Sequence, residues 1–211
     1  MIQLPAPPGG RQKRGLLFVL SAPSGTGKDS VIQRLKEQGW PIHVAVTVTT
    51  RPPRANEREG VHYFFRSPEE FARMRDADEL LEYAQVHGHW YGVPRMPARE
   101  LLAAGQDVLL KIDVQGAATM RRKVPDAVFI FLAPESLEDL EQRLLLRSQE
   151  TQETAVERHV RLQNALYELE QQSWFDYVVV NRAGHLDEAV EQVKAIVIAE
   201  HCRVRPRNIV L

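Results

Sequence analysis

The fold is decided by residues 16–39, LLFVLSAPSGTGKDSVIQRLKEQG. Residues 16–21 (LLFVLS) form a short apolar run, as a parallel strand covered on both faces requires. A Gly-rich turn follows, and then Val31, Ile32 and Leu35 recur at helical spacing until Gly39 and Pro41 close the helix. Within the turn, Pro23, Ser24, Gly25, Thr26, Gly27, Lys28, Asp29 and Ser30 approximate the phosphate-binding pattern G-x-x-x-x-G-K-[ST]. Backbone N–H groups in such a turn converge on a phosphate at a helix N-terminus, where the dipole favours an anion, and Lys28 would reach the β/γ-phosphates. Two positions depart from the pattern. Ala22 replaces the first Gly, and Asp29 replaces the hydroxyl residue that normally serves Mg²⁺. A carboxylate also serves Mg²⁺, directly or through water, so Asp29 is the candidate metal ligand. The bland alternative is a Gly-rich turn that only joins strand to helix.

Outward from this unit, the same rhythm recurs. Residues 42–48 alternate as a strand, 107–113 (DVLLKID) and 127–132 (AVFIFL) are apolar strands, and 175–180 (FDYVVV) is the last. Helices are expected from Ala98 to Gly105, over 115–123, along a charged stretch from Ser136 to about 172, and through Leu186, Val190, Val193 and Val197. Five apolar strands alternating with helices imply a three-layer α/β/α fold on a five-stranded parallel sheet, with ligands at the strands' carboxyl ends. Residues 47–97 break the rhythm. A polar stretch, TTRPPRANEREG, precedes a strand near 61–65, a helix start at Ser67-Pro68-Glu69-Glu70, and a hairpin of 80–86 with 90–93. They read as a β-rich insertion.

Composition bounds the function. The chain has 211 residues, with 27 Lys+Arg against 28 Asp+Glu and a formal net charge of −1. Near-neutrality argues against a protein held to nucleic acid by bulk charge. Hydrophobic residues at 44% and charged residues at 26% are ordinary for a globular chain. The lone Cys202 excludes an intrachain disulfide or a multi-cysteine metal site. The apolar run at 16–20 is far short of the roughly 20 residues that span a bilayer. Cytoplasmic location, with no membrane partner, is the default. Residues 1–14 read as a disordered tail. His62, His87 and His89 make no plausible metal triad, Trp40, Trp90 and Trp174 read as packing residues, and Cys202 reads as buried or incidental on the last helix.

Thr47-Val48-Thr49-Thr50-Arg51-Pro52-Pro53-Arg54, with Glu57, Gly60 and Tyr63, resembles a segment of the guanylate kinase family, and the resemblance extends over nearly the whole chain. The chemistry agrees. Two arginines three apart on a Pro-stiffened loop suit one phosphate through paired charge-assisted hydrogen bonds. The resemblance implies that Arg51, Arg54, Tyr63 and Tyr91 hold the phosphate of GMP. Glu82-Tyr83-Ala84-Gln85-Val86, then Gly88 and Trp90-Tyr91-Gly92, is similar to the family's second nucleotide motif. Guanine offers N1–H and an exocyclic NH₂ along one edge, which a carboxylate accepts together. Glu82 is thus the guanine reader implied, with Asp113 assisting at the NH₂ and Thr47 near O6. Val93 stands where the family usually carries a hydroxyl.

The segment Leu109-Leu110-Lys111-Ile112-Asp113-Val114-Gln115-Gly116 resembles the family's L-D-I-D-x-Q-G, with Lys111 in place of the first acid. Asp113 also suits a plain helix cap. Arg143, Arg147 and Arg158 match the lid pattern, whose arginines neutralise charge on the transferring phosphoryl group; a salt-bridged surface helix is the bland alternative. Asn181 matches a position near adenine, and Arg182 replaces an acid usual there.

The family therefore implies an enzyme that uses Mg²⁺ with ATP to phosphorylate GMP, dGMP being a second candidate acceptor. The implied catalytic set is Lys28, Arg51, Arg147 and Arg158. The implied organisation is a nucleotide core of residues 15–46, 98–135 and 162–203, a GMP-binding subdomain at 47–97, a lid at 136–161 and a tail at 204–211, as monomer or homodimer. A non-catalytic interaction module on the same fold is the alternative, and it would be expected to lose the phosphate loop. A kinase of another phosphorylated substrate would be expected to lack the Glu82–Asp113 pair.

Overall fold

A computed structural model describes residues 14–54, 57–86, 88–151 and 154–211, apart from the side chains of 147–151 and 155. Its central sheet has the order β2-β7-β1-β8-β9, all parallel: β1 (Leu17–Ser21), β2 (Ile42–Val44), β7 (Asp107–Lys111), β8 (Val128–Pro134) and β9 (Tyr177–Asn181). β1 and β8 are buried along their whole lengths, which is why both read as unbroken apolar runs. One apolar cluster covers each face of this sheet. Phe18, Leu20, Val31, Leu35, Ile130 and Val193 belong to one, and Leu17, Val19, Leu110, Met120, Phe129 and Phe131 to the other.

Helix α1 (Lys28–Glu37) buries Val31, Ile32 and Leu35, the three residues its periodicity selects. α7 (Leu186–His201) likewise buries Val190, Val193 and Val197. α3 (Arg95–Ala103) begins three residues before the expected start at Ala98, because Pro97 falls in the first turn, where the missing N–H is harmless. α4 (Val114–Lys123) follows β7 directly, with Asp113 as its N-cap.

The strand expected over 42–48 is two strands. β2 stays in the central sheet, whereas β3 (Thr47–Thr49) joins a second sheet of order β4-β3-β6-β5, with β4 (Tyr63–Phe65), β5 (Leu80–Val86) and β6 (His89–Pro94). Periodicity continues across Ala45 and Val46, so it carries no sign of the change of partner. α2 (Pro68–Asp76) lies on the second sheet. Its capping box is complete: Glu70 N–H donates to Ser67 Oγ at 3.1 Å and Ser67 N–H to Glu70 Oε2 at 2.9 Å. Val48, Phe71 and Leu80 form this sheet's small core, flanked by Trp90, while Leu81 and Val93 belong to the main core. The second sheet is thus anchored at its inner end.

The charged stretch is two helices, α5 (Leu137–Thr151) and α6 (Ala155–Glu170), because Thr154 starts a new capping box with Glu157. A 3-10 turn (Gln171–Trp174) leads into β9. Trp174 stacks on Phe175 and Trp40 packs on the helical side, as packing residues do. Cys202 is exposed at the C-cap of α7, which removes the buried one of its two readings and leaves the incidental one. Beyond it, Arg207 pairs with the buried Glu200 at 2.8 Å, and Ile209 and Leu211 pack on the main core.

Candidate active site

The sheet's carboxyl edge gathers the site. β1 ends at Ser21, β7 at Lys111 and β9 at Asn181. The turn after β1 holds Gly25 and Gly27 at φ of 88° and 89°, the left-handed region where a Cβ is strained. A Cβ at Gly27 would also stand 2.6 Å from Asn181 Nδ2. Gly27 caps α1, so the first N–H groups of that helix, from Lys28, Asp29 and Ser30, open toward the turn.

The loop is braced from three elements. Asn181 Nδ2 donates to Thr26 O at 2.7 Å, and Arg143 donates to Thr26 O at 3.3 Å and Asn181 O at 2.7 Å. Arg143 is itself held by Asp139 at 2.8 Å. From α6, Arg161 donates to Ser24 Oγ at 3.1 Å. Lys28 Nζ donates to Ile112 O at 2.9 Å; burial, with Lys111 nearby, lowers its pKa from the ordinary lysine value.

Two of the departures from motif, Asp29 and Lys111, meet. Lys111 Nζ lies 2.9 Å from Asp29 Oδ1 and 3.4 Å from the Tyr63 hydroxyl. Burial opposes the Lys111 charge, but Asp29 and Tyr63 outweigh it, and its pKa is raised. The Tyr63 ring stands edge-on to Tyr91 at 6.1 Å, with Arg51 Cζ 5.5 Å from its centre. Arg51 Nη2 donates to both carboxylate oxygens of Glu57, at 2.7 and 2.9 Å, and Glu57 Oε2 also accepts Arg54 N–H at 2.8 Å. Burial works against the Glu57 charge, yet Arg51 and the Arg54 amide bring its pKa below the usual range. One carboxylate thus aims the guanidinium and shapes the loop carrying the other arginine, whose side chain is exposed.

Glu82, on β5, is 2% exposed, and its Oε2 has no hydrogen-bond partner. Burial, reinforced by Asp113, pushes its pKa up to about 8. Asp113 does cap α4: its Oδ1 accepts Gly116 N–H at 2.7 Å. Capping and proximity to Glu82 are compatible, because one oxygen suffices for the cap. Thr47 is 5% exposed at the start of β3, and Val93, the register partner of Glu82, is fully buried in the main core.

Other buried polar atoms without partners among the described residues mark the same region: Ser21 Oγ, Thr26 Oγ1 and Glu168 Oε2. Buried polar atoms are ordinarily satisfied, so their clustering beside the phosphate loop points to a polar ligand. Glu168, on α6, has its pKa pushed up to about 7 by burial and by Asp113, against the pull of Lys28. Reading the sequence passes over Glu57, Arg161 and Glu168 as functional residues. Glu57 carries a signal in its position within the Arg-rich motif. Arg161 and Glu168 carry none, because only the packing of α6 brings them to Ser24 and Lys28.

Arg158 lines a groove between α5 and α6 with Glu141, Leu144, Leu145, His159 and Leu162. The side chain of Arg147, and His87, lie outside the described residues. His62 Nδ1 accepts Arg58 N–H at 3.0 Å. Among the described residues, no group of three or more His, Cys, Asp or Glu could hold a metal ion, and no helix is long and apolar enough to cross a membrane.

Comparison with known proteins identifies the family. A family model described as guanylate kinase matches residues 14–200. The chain is 44% identical over 194 residues to a guanylate kinase of Desulfitobacterium hafniense (strain Y51), covering 92% of this chain and 94% of that one. It is 47% identical over 193 residues to a guanylate kinase of Mesorhizobium japonicum, covering 91% and 86% respectively. Its fold is similar to the crystal structure of guanylate kinase from Anaplasma phagocytophilum, with a TM-score of 0.74 and 32% identity over 92% of this chain and 89% of that one. A braced phosphate loop, an arginine-bearing loop opposite it and a buried carboxylate between two sheets thus occur in a chain that belongs to the guanylate kinase family.

Proposed function

We propose that this chain transfers the γ-phosphoryl group of ATP to GMP, giving ADP and GDP, and that the two nucleotides meet between the phosphate loop and the second sheet. The observation that carries the reading is Glu82. A carboxylate 2% exposed whose Oε2 takes no hydrogen bond from the described residues is costly to bury. Guanine's N1–H and NH₂ would satisfy it, while adenine would present an acceptor there. Asp113 beside it would share the NH₂, and Thr47 would serve O6.

In this reading residues 23–30 bind ATP, with Lys28 on its β/γ-phosphates. Asn181 acts on the loop by holding Thr26 O. Arg51, Arg54, Tyr63 and Tyr91 hold the GMP phosphate, and Glu57 presents Arg51 to it. No side-chain nucleophile is needed, since a GMP phosphate oxygen attacks directly. Catalysis then rests on alignment and charge, from Lys28, Arg51, Arg147 and Arg158. Residues 47–97 are the GMP-binding part and residues 136–161 the lid. Closure of the two would exclude water, which would otherwise take the phosphoryl group.

Mg²⁺ would enter with ATP. Asp29, in the first turn of α1 with a largely exposed carboxylate, is a hard oxygen donor of the kind Mg²⁺ takes, one or two carboxylates sufficing beside phosphates and water. The ion's chemistry when bound is neutralisation of phosphate charge. Cytoplasmic location goes with this reading as a compartment that supplies both nucleotides.

The test is ADP release with ATP, Mg²⁺ and GMP, AMP, UMP or CMP offered separately. Turnover with GMP alone supports the reading, and Glu82→Gln should weaken GMP binding and relax base choice. An interaction module without chemistry would release no ADP with any of them. Retention of Lys28 and of the loop's left-handed glycines weighs against that alternative.

A further inference from the structure

Lys111 stands where the family pattern carries an acid, and its surroundings say what it does there. It ends β7, directly beside Leu20 of β1 in the sheet register. Its ammonium touches Asp29, from the ATP-binding loop, and the Tyr63 hydroxyl, from the second sheet. Tyr63 is flanked by two cations: Lys111 Nζ is 5.1 Å from its ring centre and Arg51 Cζ 5.5 Å. Lys28 is close enough to Lys111 for their charges to oppose each other.

Stability is a poor reason for this arrangement. The Asp29 side chain is 81% exposed against 22% for Lys111. A pair with one partner so open to water contributes little, while desolvating the ammonium and crowding three cations oppose it. Like charges converging on one hydroxyl call for an anion. An ammonium carries three N–H donors, and the described residues take two. A hydroxyl and an ammonium 3.4 Å apart can donate to one phosphate oxygen between them.

We infer that Lys111 is a phosphate ligand of the acceptor nucleotide, set between the two nucleotide sites by Asp29 and Tyr63. This rests on the reading of the second sheet as the GMP site. Asp29 then has a second task, as the counter-charge that holds Lys111 in the cleft until a phosphate arrives.

The test is equilibrium titration of the full chain, without Mg²⁺, with GMP and with guanosine, which lacks the phosphate. Lys111→Gln should weaken GMP binding about 10- to 100-fold, the range for loss of a charge-assisted hydrogen bond, and leave guanosine binding unchanged. Lys111→Arg should restore most of the GMP affinity. Asp29→Asn, which keeps an acceptor for the ammonium and removes only the charge that competes with the phosphate, should lose less GMP affinity than Lys111→Gln. Equal losses for GMP and guanosine in Lys111→Gln, or equal losses of GMP affinity in Lys111→Gln and Asp29→Asn, would make the pair a strut and overturn the inference. Unchanged GMP affinity in Lys111→Gln would overturn it as well. A parent chain that binds GMP no better than AMP overturns the GMP reading itself, and that result is seen before any variant is made.

Discussion

Gly116 lies against the carboxylate of Glu82: a Cβ at Gly116 would stand 2.7 Å from Glu82 Oε2 and 3.0 Å from its carboxyl carbon. The first turn of α4 and the Glu82 carboxylate therefore share a space with no room for a methyl group. Gly116→Ala should push the carboxylate off its line while leaving the P-loop intact. The expected outcome is a KM for GMP raised about tenfold or more, as for a displaced hydrogen-bonding group, with the KM for ATP nearly unchanged. Steady-state kinetics against each substrate checks it.

Glu82 also sets a pH dependence. Its carboxyl, with a pKa near 8, is largely protonated at neutral pH, whereas accepting guanine's two N–H groups favours the ionised form. GMP binding at pH 7 should therefore release protons, seen as a calorimetric heat that changes with the buffer's ionisation enthalpy. Glu82→Gln should remove that release. Without ligand the sign is fixed too. A carboxyl with a folded-state pKa above its unfolded value contributes most below about 4.5, and that contribution fades as pH rises toward 8. Glu82→Gln should flatten the fall in stability across that window, measured by denaturant midpoints. Glu168, raised to about 7, should leave part of the slope behind.

Lys28→Met removes the ammonium of the phosphate loop. The expected loss in kcat is about 100-fold or more, the scale for a preorganised charge on the transferring group. The fold should survive, because the lost bond is a single one, to Ile112 O. Circular dichroism and ADP release together check it.

Asn181→Ala deletes the buried bond to Thr26 O. It should cost ~1–3 kcal/mol of stability and raise the KM for ATP more than that for GMP. Unchanged stability, or equal effects on the KM values for ATP and GMP, would contradict this role.

Much of the fold was legible because buried parallel strands announce themselves as apolar runs, as in FVL of β1 and FIFL of β8. The split between β2 and β3 was not, since alternation persists through a change of partner sheet. The break at Thr154 leaves no mark in the periodicity, because both sides are good helix and only the cap distinguishes them. At the site, Lys28 shows in the spacing of the phosphate-loop pattern, whereas Arg51 and Glu82 show only through the resemblance to the family's motifs. The Asp29–Lys111 pair shows in sequence as two separate departures 82 residues apart, and only the adjacency of β1 and β7 joins them. Arg161 and Glu168 depend on how α6 lies over the loop, which no local pattern encodes.

The most direct measurement is ADP release by the full chain with ATP, Mg²⁺ and each of GMP, AMP, UMP and CMP in turn. The account predicts turnover with GMP and none above background with the other three, despite Val93 in place of a hydroxyl. Turnover with AMP equal to that with GMP, or no turnover with any nucleotide, would contradict it.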